Sequence, residues 1–175
     1  VDAAMLAAIG LPALRQAFAI PDRPTATCAH FDEQRFWSHS QAMACAARVV
    51  GEALQLAPAN GTFERYKLQE WLNFIATEIH KSCTPFFSPL AKDDWKGAAR
   101  ANLDRRLGLV NEHLADKPYL MGDDFSVADG YLFTTLSWMK YIGIDLATLP
   151  NLAAFQARVA ARPAVQKVLK DEGLA

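Results

Sequence analysis

The residues best equipped for chemistry fall in one stretch, Thr62 to Phe87, TFERYKLQEWLNFIATEIHKSCTPFF. Glu70, Asn73, Thr77, His80, Lys81 and Thr84 recur there at helical spacing and therefore line one edge of a helix. Amide, hydroxyl, imidazole and ammonium groups together suit a small anionic ligand rich in amides. On the other side Phe63, Leu68, Trp71, Leu72, Ile75 and Ile79 share one broad apolar face, the mark of a helix packed on a core. A polar stripe on such a helix is ordinarily a solvated face, and a lone histidine more often serves structure than chemistry. Spacing alone does not choose between the two.

Composition limits the partners of that edge. The chain has 175 residues, 51% of them hydrophobic, and a formal net charge of -1, as expected of one globular domain or a closely packed pair. Basic and acidic side chains number 18 and 19 with no run of like charge, which argues against nucleic acid and anionic membranes as partners. No apolar run approaches the ~18 residues of a membrane span. A basic flank leading into a secretory core is also missing, so a cytoplasmic location is expected. Cys28, Cys45 and Cys83 are odd in number and widely spaced, matching neither a disulfide framework nor a metal site. Reduced thiols and no metal are expected.

The elements that must position the edge are helical throughout, and no sustained period-2 alternation appears. Residues 1–27 are Ala-rich with Pro12, Pro21 and Pro24, allowing only short helical pieces. From Asp32, a plausible N-cap, to Leu54 a helix is predicted with Phe36, Met43, Ala47, Val50 and Leu54 as its stripe. LAPANGT, residues 56–62, is a turn cluster and the best linker. After the main helix Pro85 and Pro89 break the pattern, and a second long helix is predicted from about Lys92 to Ala115, with Leu103, Leu107, Val110 and Leu114 inward. Residues 116–125 read as a loop. Ser126 then caps a helix running from Val127 to about Ile142, with Asp129 at N3. That helix is apolar nearly all round and should be the buried centre. Pro150 opens a helix facing inward through Leu152, Phe155 and Val159, and Pro163 starts a short last one.

Three segments go further than a class. LAPANGTFERYKLQEWLNFIATEIHKSCTPFF, then YLMGDDFSVADGYLFTTLSWMKYIGIDL, then LPNLAAFQARVAARPAVQKVLKDEGL closely resemble, in order and loop length, the C-terminal helical domain of bacterial, beta-class glutathione transferases. The resemblance covers residues 56–175. It implies an all-α, glutathione-transferase C-terminal-like bundle, with FSVADGYLF as a capping and folding element. It also implies that Asn73, Thr77, Glu78, Ile79 and His80 contribute to holding glutathione as co-substrate, with Glu78 accepting from its ammonium and Asn73 and Thr77 pairing with its polar groups. His80 and Lys81 would favour the thiolate by hydrogen bonding or positive charge. Trp138 matches a tryptophan beside the family's hydrophobic-substrate pocket, which Phe86 and Phe87 are placed to line. A homodimer, and a hydrophobic electrophile as second substrate, follow from the same resemblance.

The upstream part, residues 1–55, carries no recognisable thioredoxin-like pattern, and is expected to be a divergent or truncated, partly helical segment. No catalytic residue is carried over from that half. Two functions from different classes therefore stand at this point: a transferase conjugating the glutathione thiolate to hydrophobic electrophiles in detoxification, and a non-catalytic helical module for binding or dimerisation that lacks the activating domain. Glutathione binding and turnover separate them.

Overall fold

A computed structural model of the chain describes residues 38, 40, 42–45, 47 and 51–174. The expectations for residues 1–27, the Asp32 cap and the Cys28 thiol lie outside the described residues. Internal contacts divide the chain into two compact units, Val1–Gln55 and Leu56–Ala175. In the first, residues 38, 40, 42–45, 47 and 51–53 are helical, and Gln55 ends the segment at a φ of 56°. Its expected apolar stripe is not the buried one: Met43, Ala47 and Leu54 are exposed and Cys45 is buried. Alanines on every side of this helix leave periodicity little power to choose a face.

The second unit is all-α among its described residues, apart from an isolated bridge between Tyr119 and Gly122. Its first helix, α1 (Phe63–Phe74), starts at Thr62, whose backbone is extended and whose hydroxyl accepts the Arg65 amide at 3.2 Å. Gly61 supplies the positive φ of 83° that the turn before it requires. The chain then passes through a wider turn, Ile75–His80, into α2 (Lys81–Phe87). The wide turn has π geometry: the Lys81 amide donates to Ala76 O, five residues back. Helical structure continues through Pro85, which sequence alone marks as a break. Pro85 stands in the short helix that follows the wide turn and is itself buried.

Leu68, Ile75, Ile79 and Cys83 form the buried seam of this long element, while Phe63, expected on the apolar face, is 68% exposed at its open end. The seam packs on α3 (Asp93–His113), which buries Ala99, Leu103, Leu107 and Val110, with Leu114 just beyond. The predicted stripe of α3 is thus the real one. Helix α4 (Val127–Ser137) lies against α1 and the wide turn, burying Ala128, Asp129, Leu132, Thr135 and Leu136. It stops short of the predicted Ile142. Trp138 caps it, and Met139–Ile142 tighten into a 3₁₀ turn closed by Gly143 at a φ of 73°. A second 3₁₀ turn, Leu146–Thr148, leads to α5 (Pro150–Ala160), which buries Leu152, Phe155 and Val159 as predicted. The side chain of Asn111 on α3 accepts the amides of Asn151 at 3.0 Å and Leu152 at 3.2 Å, satisfying the open N-terminus of α5. A short α6 (Pro163–Asp171) follows. No described helix is long and apolar enough to cross a membrane.

The start of α4 carries the most demanding polar arrangement of the core. Asp129 is fully buried, and its carboxylate accepts from the Leu120 amide, the Ser126 amide and the Ser126 hydroxyl, each at 2.8 Å. One side chain thereby ties the preceding loop to the helix it caps. Burial pushes the Asp129 carboxyl up from the ordinary carboxylate range, against these hydrogen bonds, which pull it down. In urea unfolding, Ser126→Ala is expected to cost about 0.5–2 kcal/mol, the value of a cap. Asp129→Ala should cost more, because a buried donor left without its acceptor is worth about 1–3 kcal/mol by itself. Equal losses for the two variants would show that the loop amide finds another partner.

Candidate functional site

The wide turn, α2, the end of α4 and the 3₁₀ turn after it converge on an open cleft of about 560 Å³. His80, Cys83, Thr84, Phe87 and Ser88 line it from one side, Trp138 and Tyr141 from the other. His80 is the last residue of the wide turn, and its Nδ1 lies 2.7 Å from the Tyr131 hydroxyl of α4. Its ring also meets Trp138 edge to face, with centroids 4.9 Å apart at 81°. Phe87 in turn meets Trp138 at 6.2 Å and 83°. Edge-to-face contacts of this kind fix ring orientations as well as burying area. The result is an apolar wall with a single imidazole at its polar margin, oriented by a hydroxyl on one side and an indole on the other.

Cys83 stands at the bottom of the cleft but is inert there. Its side chain is 1% exposed, the thiol donates to Ile79 O at 3.3 Å, and burial pushes its pKa up to about 11. It serves the wall.

The residues singled out by sequence do not all come together. His80 and Trp138 do, and so does Thr84 of the polar stripe. Asn73 and Thr77 are exposed on the same long element, with the Thr77 hydroxyl donating to Asn73 O at 3.0 Å and its lone pairs open to a donor. Lys81 is exposed and does not line the cleft. Glu78 is half-buried in an ion pair with Arg106 of α3 at 2.6 Å, so a ligand ammonium would have to share it. The side chain of Ile79 is wholly in the core, leaving its backbone as the part able to meet a ligand. Phe86 packs against the core, and its neighbour Phe87 lines the cleft instead. Glu70 lies on a separate cleft of about 370 Å³ with Trp71, Phe74 and His113. The wide turn takes up more residues per turn than an α-helix, so side chains on either side of it do not keep one α register.

Tyr131 and Tyr141 were not singled out in advance. Both sit in a segment that reads as apolar helix, although a tyrosine hydroxyl there needs a partner, and that need was the available signal for Tyr131. Among the described residues no group of three or more His, Cys, Asp or Glu could hold a metal ion.

Comparison with known proteins bears on these same helices. Residues 93–169 match the family described as glutathione S-transferase, C-terminal domain. The glutathione S-transferase GstA of Escherichia coli O157:H7 is 47% identical over 119 residues, covering 68% of this chain and 59% of that protein. The chain belongs to the glutathione S-transferase family. Among solved structures, a ternary complex of BphK, a bacterial glutathione transferase, is 53% identical at a TM-score of 0.70, covering 77% of this chain and 66% of that one. A sphingomonad glutathione S-transferase complexed with glutathione is 40% identical at a TM-score of 0.69, with the same coverage of 77% and 66%. The chain thus spans 59% of the E. coli relative's length.

The inertness of Cys83 is open to a direct check. In a Cys28→Ala, Cys45→Ala background, a thiol reagent at pH 8 is expected to leave the native protein unlabelled and to label one thiol in denaturant. Rapid native labelling would mean that the thiol is exposed and ionised to a degree its burial does not allow.

Proposed function

We propose that this chain is part of a beta-class glutathione transferase, which conjugates the thiolate of glutathione to hydrophobic electrophiles in a detoxifying role. The thiolate sulfur forms a bond to the electrophilic carbon while the leaving group departs with its electron pair. Glutathione is the co-substrate and no metal takes part. The observation that carries this reading is the meeting of His80 with Trp138 at 4.9 Å, which sets a polar, orientable group against an apolar wall. A conjugation needs that juxtaposition, because the polar tripeptide and the apolar electrophile must react at one point.

In this proposal Trp138, Phe87 and Tyr141 receive the electrophile. Asn73, Thr77, Glu78, the Ile79 backbone and His80 address glutathione, and His80 and Lys81 favour the thiolate. Membership of the family, and a similar sphingomonad protein complexed with glutathione, support the assignment of the tripeptide. Homodimer formation and a cytoplasmic location belong to the same proposal.

The test is calorimetric titration with glutathione, followed by conjugation of a chlorinated nitrobenzene. Absence of both binding and turnover would overturn the proposal. Asn73→Ala and Thr77→Ala should each weaken glutathione binding by about 0.5–1.5 kcal/mol, the worth of a neutral hydrogen bond. Trp138→Ala should raise KM for the nitrobenzene by roughly tenfold, equivalent to about 1.4 kcal/mol. An unchanged KM would move the electrophile away from this wall. Light scattering should give twice the chain mass, and a monomer would count against any site completed across subunits.

A further inference from the structure

The wide turn at Ile75–His80 is an uncommon geometry in a helix, and the structure shows what holds it. A π turn opens the helix axis and weakens packing along it, so it persists where its surroundings over-determine it, and it is frequent at functional sites. Here Asn102 of α3 and Ser82 of α2 together grip one carbonyl of the turn. The Asn102 amide donates to Glu78 O at 3.2 Å and to the Ser82 hydroxyl oxygen at 2.8 Å, and the Ser82 hydroxyl itself donates to Glu78 O at 2.8 Å. The remaining polar atom of the Asn102 side chain, its oxygen, accepts from Arg105 at 2.9 Å. Glu78 is held a second time through its carboxylate by Arg106. Two side-chain donors on one backbone carbonyl are what a helix carries where its amide ladder is displaced.

We infer that Asn102, acting with Ser82, is a positioning residue: it holds the helix open at Glu78 and so aims His80 into the cleft. Asn102 is not among the residues that line the cleft, and acts through the backbone of the turn. Without the grip, the turn relaxes toward α-helical winding, in which one residue subtends about 100° around the axis. That rotation is enough to take the His80 ring off Tyr131 and Trp138, since edge-to-face contact requires the two rings to meet at a set angle. Packing alone does not impose the open turn, because Ile75 and Ile79 are four residues apart and would share a face in an ordinary helix as well. The functional consequence rests on the transferase proposal above, and the structural one does not.

The experiment therefore reads the ring before it reads the reaction. The protein is compared with Asn102→Leu, which keeps volume and removes the amide, by proton–carbon correlation NMR of the histidine rings, with the His80 signals assigned from a His80→Gln spectrum. In the native protein the His80 ring protons should be displaced by the ring current of Trp138 and show nuclear Overhauser contacts to it. In Asn102→Leu that displacement and those contacts should be lost, while the His113 signals and a cooperative thermal transition are kept. Conjugation should then show kcat lower by about tenfold to a hundredfold, the scale of an ångström-sized misplacement, with KM for the nitrobenzene changed less than twofold. If Asn102→Leu does not fold, Ser82→Ala and Ser82→Thr replace it: the alanine should lose the His80–Trp138 contacts and the threonine, which restores a hydroxyl, should regain them. A folded variant with unchanged His80 signals overturns the inference, whatever its turnover. Lost His80 contacts in a protein that neither binds glutathione nor conjugates it would sustain the positioning role and overturn the transferase proposal instead.

Discussion

The element from Phe63 to Phe87 must satisfy two demands at once. It has to bury Leu68, Ile75, Ile79 and Cys83 in one seam against α3, and it has to present His80, the residue directly after one of them, to a cleft bounded by α4. The turn of π geometry between Ile75 and His80 sets the angle at which the imidazole leaves the seam. Most features of the site descend from this. The cleft has an apolar wall where Phe87 meets Trp138, and a polar margin because the open turn sets an imidazole at its edge.

A second constraint works from the other side of the cleft. Trp138 reaches the cleft, and Tyr131 reaches His80, only if α4 begins and ends where it does. The beginning is held by Asp129, whose buried carboxylate binds both the helix start and the Leu120 amide of the preceding loop. The end comes at Trp138, where the backbone tightens into a 3₁₀ turn and Gly143 takes the left-handed conformation. Arg100 of α3 donates to the Gly143 carbonyl at 3.0 Å, tying that corner to the helix that grips the wide turn. Helix α3 therefore supports both walls of the cleft.

Much of this was legible in order and kind. The inward stripes of α3 and α5, the Ser126 and Asp129 cap, and Pro150 at the start of α5 follow from apolar spacing and from the local needs of helix ends, which the sequence states within a few residues. The misses share one cause. Periodicity places Phe63 in the core, yet it is 68% exposed, with the Lys67 ammonium over its ring. Pro85 reads as a break in the sequence, although it lies inside a helix following a wide turn. Glu70 was assigned to the polar edge and lies on another cleft. Each expectation assumed one unbroken α register or a covering partner, and neither is a local property.

The order of the helices, their buried stripes, the cap of the central helix and the identity of His80 and Trp138 as candidates were determined by the sequence itself, because they rest on interactions between residues three or four apart or on residue type. Which of the polar residues meet was decided only in the tertiary structure. His80 comes to Tyr131, 51 residues away, and to Trp138, while Glu78 is drawn to Arg106, 28 positions on. The physical reason is that these partners stand on α3, α4 and the turn after it: Asn102 of α3 reaches the Glu78 carbonyl and Arg106 its carboxylate, and no spacing within the wide turn itself encodes either contact.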